Sequence, residues 1–191
     1  MTDPSDLASL KAQLRLDARR ARQDADPRGA GDAAAALFPT ALAGPGIIAG
    51  YWPLGRELDP LPLVARLRAS GGEIALPRIA DRSGAARFLL WPPAGDLTPD
   101  AFGAPAPPAT SPEVAPRLIL TPLLAFDRAG GRLGQGGGHY DRILGRLKPQ
   151  GVVTVGLAYG VQEIDSVPRG AHDIDLDWVV TEREAIRCAR S

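Results

Sequence analysis

The chain has 191 residues, of which 45% are hydrophobic, so we expect a single domain over residues 1–191 with a sizeable core. Its 22 basic and 22 acidic residues cancel, which argues against attraction to nucleic acid or to an anionic membrane. A single cysteine, no apolar run of the roughly 18 residues that span a membrane, and no signal-peptide layout at the acidic amino terminus predict a cytoplasmic protein, which we expect to be a monomer.

The first predicted element is a helix over residues 5–25, where a row of cations lies beside an apolar face. At about 100° per residue, the aligned apolar positions are Leu7, Leu10, Leu14, Ala18 and Ala21. The cations, roughly 40–80° further round the helix, are Lys11, Arg15 and Arg22. Two interpretations stay open: a solvated basic flank, or cations at the edge of a buried face that point into a cleft.

Predicted strands and helices alternate along the rest of the chain, which is typical of a mostly parallel α/β sheet. The predicted strands are 46–53, 73–79, 86–93, 117–126, 152–160 and 177–182, and the fourth is the most apolar. The predicted helices are 59–72, 140–147 and 181–190, the last with Thr181 as its N-cap. We expect a three-layer, Rossmann-like fold with helices on both faces of the sheet.

Residues 94–116 are rich in Ala and Pro and form the longest stretch without a predicted element. A linker between two domains would have this composition. A flap over a site would also have it, and we favour the flap in a chain this short.

The stretch RAGGRLGQGGGHYDR, residues 128–142, combines a bare backbone with polar side chains. It follows a predicted buried strand and precedes a predicted helix, which in a parallel sheet is the edge where ligands bind. Glycines bring N–H groups close to a ligand, and the helix start adds free N–H groups and a positive dipole end. The stretch therefore predicts a phosphate-binding loop flanked by Arg132 and Arg142, rather than a flexible turn. Its spacing matches neither a Walker loop nor a dinucleotide fingerprint.

Read from the preceding strand, LLAFDRAGGRLGQGGGHYDR resembles the signature of the 5-formyltetrahydrofolate cyclo-ligase (5,10-methenyltetrahydrofolate synthetase) family: Phe-Asp, then Gly-x-Arg-Leu-Gly-x-Gly-x-Gly-Tyr-Tyr-Asp. KAQLR, YWPLGRELD and VGLAYGVQEIDSVPRGAHDIDLDWVVTE are similar to other family segments, so the resemblance covers nearly the whole chain. It implies an ATP-dependent ring closure that converts 5-formyltetrahydrofolate to 5,10-methenyltetrahydrofolate, with ADP and phosphate as products and Mg²⁺ as the metal. The implied partners are these small molecules, without nucleic acid or membrane.

The resemblance also implies a role for individual residues. The implied ATP-binding residues are Lys11, Arg15, Arg132, Leu133, Gly134, Gln135, Gly136, Gly137, Gly138, His139 and Tyr140. The implied folate-binding residues are Trp52, Glu57, Gln135 and His139, and the implied Mg²⁺ ligands are Asp141 and Asp173. Glu57, Arg132 and Tyr140 are the implied catalytic residues. Without the resemblance, Glu57 would be interpreted as a charge at a helix start and Asp173 as a solvated acid.

The chain departs from the family pattern at three places. His139 stands where the first of two tyrosines is usual, Gly137 stands where many members have lysine, and FGAPAPPATSPEVAP lacks a Glu-Pro pair. We expect Arg132 or Arg142 to supply the positive charge of the absent lysine. The third departure concerns the flap and not the reaction.

Two other functions stay open from the sequence. The chain could bind folate or nucleotide without turnover, although its intact set of charged site residues argues against this. It could instead be a hydrolase or phosphotransferase acting on another small molecule, because the folate pocket consists mostly of apolar wall and irregular segment. RNA binding is disfavoured by the charge balance and the absence of an aromatic RNA-binding motif.

Overall fold

A computed structural model describes residues 4–80 and 86–189. The helices in this part of the chain are α1 (Pro4–Gln23), α2 (Ala30–Leu37), α3 (Leu61–Ala69) and α4 (His139–Leu147). The strands are β1 (Gly46–Ala49), β2 (Gly72–Ile79), β3 (Ala86–Leu90), β4 (Thr98–Pro99), β5 (Pro105–Ala106), β6 (Leu118–Pro122), β7 (Ala125–Phe126), β8 (Arg132–Leu133), β9 (Val153–Leu157), β10 (Trp178–Val180) and β11 (Ala185–Arg187). None of the helices within the described ranges is both long and apolar enough to cross a membrane.

Seven of these strands form the central sheet, in the order β11-β10-β9-β6-β1-β2-β3. The five inner strands are parallel to one another, and the two edge strands β3 and β11 are antiparallel to their neighbours. The five inner strands are mostly apolar and buried, as expected for a sheet whose two faces are both covered. The predicted mostly parallel sheet is therefore confirmed.

Helices cover both faces of this sheet, as predicted. On one face, Leu63 and Leu67 of α3 share a buried cluster with Ile48 of β1 and with the alanines of α2. On the other face, Ile143 and Leu144 of α4 share a second cluster with the opposite side chains of the same strands. A third, smaller cluster packs α1 against the β7–β8 hairpin. The three-layer α/β architecture therefore leaves α1 at the rim of the sheet, beside that hairpin.

The most apolar predicted strand, 117–126, is two strands in the structure. β6 ends at Pro122, whose ring leaves no N–H to continue the sheet, and β7 pairs with β8 in a separate antiparallel hairpin. Leu123 and Leu124, between the two strands, are buried, so the apolar run continues through the break and conceals it. The glycine-rich stretch consequently begins inside the small hairpin, and its residues 134–138 follow that hairpin and not a strand of the main sheet.

The predicted carboxy-terminal helix over residues 181–190 is wrong. Residues 185–187 of this range form β11, which pairs with β10. Buried Ile186, exposed Arg187 and buried Cys188, the residue after β11, alternate as in a strand with one covered face. The hydroxyl of Thr181 accepts hydrogen bonds from the N–H groups two and three residues later, as an N-cap does. The turn that it caps leads into a strand, and the last residue of the predicted helix lies outside the described residues.

Asp127, directly after β7, joins the β7–β8 hairpin to a later segment of the chain. Its buried carboxylate accepts hydrogen bonds from the N–H groups of residues 129, 131 and 167 and from both terminal nitrogens of Arg169. Burial favours a raised pKa for Asp127, but these N–H donors and the guanidinium outweigh it and hold the pKa below its ordinary value. Because Arg169 also pairs with Asp175, the hairpin and residues 167–175 are fixed relative to each other.

The surroundings of one glycine on β9 and one on α4 predict opposite effects of a Gly→Ala substitution on stability. At Gly156 a Cβ would lie 2.6 Å from Leu176 Cδ1 and 2.7 Å from Leu123 Cδ2, so Gly156→Ala should lower the free energy of unfolding by about 1–3 kcal/mol. Gly145 is exposed on α4 with nothing within 4 Å of its Cβ position, so Gly145→Ala should raise it by roughly 0.5–1 kcal/mol. Denaturant unfolding measures both, and equal effects of the two substitutions would contradict this packing.

The Asp127 carboxylate predicts a specific dependence of stability on acid. Asp127→Asn should lower the free energy of unfolding by roughly 1.5–3 kcal/mol at neutral pH, because Arg169 loses its charged acceptor. Since the folded-state pKa lies below the ordinary value of 3.8, the stabilisation is complete above that value and is lost as the pH falls through the folded pKa. Unfolding curves between neutral and acidic pH should show this loss in the wild type and not in Asp127→Asn. The exposed Asp96→Asn is the control and should leave the acid dependence unchanged.

Candidate functional site

A cavity of about 560 Å³ lies at the carboxyl ends of the parallel strands β1, β2 and β6. Trp52 follows β1, Ile79 ends β2 and Pro122 ends β6, and all three line the cavity. The glycine loop, residues 134–138, forms another part of the wall. The predicted position of this loop at the carboxyl ends of the central strands is therefore confirmed.

The site residues implied by the resemblance all line this cavity. They are Lys11, Arg15, Trp52, Glu57, Arg132, Leu133, Gly134, Gln135, Gly136, Gly137, Gly138, His139, Tyr140, Asp141 and Asp173. Leu10, assigned to the apolar stripe of α1, is instead 48% exposed, while Lys11 and Arg15 face inward. For Lys11 and Arg15 the structure thus favours cations that point into a cleft, whereas Arg22 does not line the cavity. The binding roles of these residues stay predictions.

Two cation–carboxylate pairs lie in the cavity wall. The ammonium of Lys11 contacts the carboxylate of Asp173, and Arg132 Nη2 lies 2.5 Å from Asp141 Oδ1. Burial favours a raised pKa for Asp173, but a backbone N–H and Lys11 lower it more strongly. Burial lowers the pKa of Arg132, against the attraction of Asp141 and Asp173. Both carboxylates therefore act electrostatically on the same guanidinium.

Asp141 and Asp173 have the chemistry of a Mg²⁺ site, since Mg²⁺ typically takes one or two carboxylates together with phosphate oxygens and water. Across residues 4–80 and 86–189, no group of three or more His, Cys, Asp or Glu side chains is placed to enclose a metal. A metal held here would therefore complete its shell with substrate oxygens and water. Arg132 Nε is buried without a hydrogen-bond partner, a donor that a phosphate oxygen could satisfy.

The backbone of the glycine loop is shaped for an anion. Gly136 and Gly138 have positive φ angles of 107° and 63°, which favour glycine. Gly138 is the N-cap of α4 and provides no side-chain cap, so N–H groups at this helix start remain available to an anion. Arg15 Nε donates a hydrogen bond to the carbonyl of Gly134 at 3.0 Å. Arg15 therefore holds the loop against α1 as well as lining the cavity.

Glu57 is a half-buried carboxylate in the cavity wall. Burial raises the pKa of Glu57, opposed by the N–H of Leu54, the charge of Arg22 and the side chain of Gln135. The N–H of Leu54 donates to Glu57 Oε2 at 3.1 Å. The buried hydroxyl of Tyr140 is within electrostatic reach of both Glu57 and Arg132, and its pKa is raised by burial. The Tyr140 hydroxyl is thus influenced both by the carboxylate of Glu57 and by the cationic part of the cavity.

The flap, residues 94–116, contributes side chains that the sequence did not identify. Asp100 and Phe102, in the turn between β4 and β5, line the cavity, and the Phe102 ring packs edge-on against His139 with centroids 5.3 Å apart. Arg78 of β2 donates hydrogen bonds to oxygens of residues 98, 99 and 107, which fastens the hairpin to the sheet. These contacts favour the flap interpretation over a linker. An aromatic residue within a run of Gly, Ala and Pro was the available sequence signal.

Two departures from the family pattern are coupled in space. A Cβ at Gly137 would lie 2.7 Å from Cδ2 of His139, so the imidazole fills the space that a side chain at position 137 would need. Arg142 Nη2 lies 3.1 Å from His139 Nδ1, at an exposed position outside the cavity wall. Of the two arginines expected to replace the absent lysine, Arg132 is the one that lines the cavity.

Comparison with known proteins agrees with this geometry. The sequence model of the 5-formyltetrahydrofolate cyclo-ligase family matches residues 5–182. The 5-formyltetrahydrofolate cyclo-ligase of Escherichia coli K12 is 35% identical over 130 residues, which cover 65% of this chain and 71% of that protein. The one of Mycolicibacterium smegmatis is 30% identical over 190 residues, or 94% and 97% of the two chains. The NMR structure of Aquifex aeolicus 5,10-methenyltetrahydrofolate synthetase is 31% identical, with a TM-score of 0.76 over 95% of both chains. The chain belongs to the 5-formyltetrahydrofolate cyclo-ligase family.

Proposed function

We propose that this chain converts 5-formyltetrahydrofolate to 5,10-methenyltetrahydrofolate, with ATP consumed, ADP and phosphate released, and Mg²⁺ required. One observation carries the proposal: a single cavity combines a wall suited to phosphate with an apolar, aromatic wall that includes the carboxylate Glu57. Membership of the cyclo-ligase family supports this choice of reaction. The active unit is a cytoplasmic monomer that acts on free small molecules and needs neither nucleic acid nor a membrane.

The nucleotide occupies the cationic part of the cavity. Lys11 and Arg132 bind oxygens of the triphosphate, and the N–H groups of the glycine loop and of the α4 start bind the remaining oxygens. Arg15 keeps the loop in place through its hydrogen bond to the Gly134 carbonyl. The triphosphate lies along residues 133–140 of the cavity wall. Mg²⁺, held by Asp141 and Asp173 when bound, supplies positive charge beside the phosphate oxygens.

The folate occupies the apolar part of the cavity. Trp52, which packs edge-on against Trp91 with centroids 6.0 Å apart, provides a firm aromatic wall for the pterin. Glu57 accepts hydrogen bonds from pterin N–H groups, and its own neighbour in the glycine loop is the side chain of Gln135. His139, which contacts the flap through Phe102, closes this side of the cavity.

The reaction follows from holding the two ligands in line. The formyl oxygen attacks the γ-phosphorus and ADP leaves. N10 then attacks the activated formyl carbon and loses its proton, and the C–O bond breaks to release phosphate. Arg132 neutralises charge on the phosphoryl group as it moves, and Tyr140, which burial keeps protonated, donates a hydrogen bond toward the reacting oxygen. Glu57 holds the pterin so that N10 meets the carbon, and no covalent enzyme intermediate is needed.

The proposal is tested by mixing the protein with ATP, Mg²⁺ and 5-formyltetrahydrofolate and following the near-ultraviolet absorbance of the methenyl product. We expect product to form with one ADP per turnover, and only when all three are present. Binding of both ligands without product would make the chain a binding protein. ADP release that does not depend on the folate would indicate a hydrolase or phosphotransferase for another substrate.

Two substitutions in the same assay test how the cavity is divided. Glu57→Gln keeps the size of the side chain and removes its charge, so the KM for folate should rise about tenfold or more while the KM for ATP changes little. Lys11→Met removes a phosphate-binding charge and should do the reverse. Each variant is the control for the other, and a rise in the KM for ATP in Glu57→Gln would show that Glu57 faces the nucleotide.

A further inference from the structure

Each of the two ion pairs in the cavity joins a cation that the proposed function assigns to phosphate and a carboxylate that it assigns to Mg²⁺. Lys11 and Arg132 are the phosphate-binding cations, yet each contacts a carboxylate, Asp173 and Asp141 respectively. The side chains of Lys11 and Arg132 are 14% and 3% exposed, and those of the two acids are 24% and 26% exposed. Water therefore replaces these contacts poorly, and each charge depends on its partner.

A triphosphate that enters without a metal has to separate both pairs. Its oxygens would take the cations, and two half-buried carboxylates would then face the phosphate anion with nothing to neutralise them. A triphosphate that enters with a divalent cation meets a different situation. The cations pass to the phosphate and the carboxylates pass to the metal, so every charge in the cavity exchanges one partner for another.

From these contacts we infer that Asp141 and Asp173 are specificity-determining residues. Asp141 holds Arg132, and Asp173 holds Lys11, until a divalent cation takes the place of Arg132 and Lys11 as the partner of the two carboxylates. The site therefore accepts a nucleotide only as its metal complex. This inference rests on the proposed function and goes beyond the ligation of the metal. It gives the two carboxylates opposite effects on the two forms of the nucleotide. They strengthen binding of the metal complex and weaken binding of the free nucleotide.

The test is calorimetric binding of a non-hydrolysable ATP analogue, with Mg²⁺ and separately with EDTA. Asp173→Asn should weaken binding of the Mg²⁺ complex. It should strengthen binding of the metal-free analogue by about tenfold, since the coupling between two binding events typically amounts to 5- to 150-fold. Asp141→Asn, which releases Arg132, should act in the same direction. Asp165→Asn is the control: it removes the same charge from an exposed side chain outside the cavity wall, and should leave both affinities unchanged.

A double-mutant cycle separates release of Lys11 from simple loss of repulsion. If Asp173 acts by holding Lys11, Asp173→Asn should strengthen metal-free binding much less in a Lys11→Met protein than in the wild type. An equal gain in both backgrounds would overturn the inference, as would unchanged or weaker metal-free binding in both Asn variants. Failure of the wild type to bind the Mg²⁺ complex would instead overturn the proposed function.

Discussion

The carboxylate of Asp127 is the interaction on which the arrangement of the site depends. It joins the start of the β7–β8 hairpin to residues 167–175 by accepting hydrogen bonds from the backbone of both segments and from Arg169. Arg132 lies on β8 of this hairpin, the glycine loop follows β8 directly, and the later segment contains Asp173. Asp173, the proposed metal ligand, and Arg132, the proposed phosphate-binding cation, are thus brought from distant parts of the chain to one cavity by a third, buried charge. Helix α1 completes the arrangement, because its Lys11 contacts Asp173 and its Arg15 donates a hydrogen bond to the Gly134 carbonyl.

The fold was predictable where the sequence pattern is strong and local. Alternating apolar strands and helices predicted the parallel sheet, and the glycines next to a helix start predicted which loop lines the cavity. The errors of prediction lie where two alternative local conformations would bury the same side chains. The apolar run 117–126 stays buried through the turn after Pro122, and the short carboxy-terminal segment pairs with β10 although its residues would also form a helix. Helix α2, a run of alanines without a strong amphipathic pattern, was not predicted.

The candidate site was predictable in its charged residues and not in its flap. Lys11, Arg132, Asp141 and Asp173 could be assigned by resemblance, but their pairing in the cavity depends on distances between parts of the chain that the sequence does not contain. The same holds for the space shared by Gly137 and the His139 ring. The position of Phe102 depends on Arg78 holding the β4–β5 hairpin, a contact between side chain and backbone that has no sequence pattern.

The central claim is that one cavity holds nucleotide and folate together, in positions that let one react with the other. The most direct measurement is a calorimetric titration of 5-formyltetrahydrofolate into protein saturated with Mg²⁺ and a non-hydrolysable ATP analogue. We expect one folate to bind per chain, at least as tightly as in the absence of nucleotide. Folate that binds the free protein but is excluded by the nucleotide would show that the two ligands compete for one position, and would contradict the proposed arrangement.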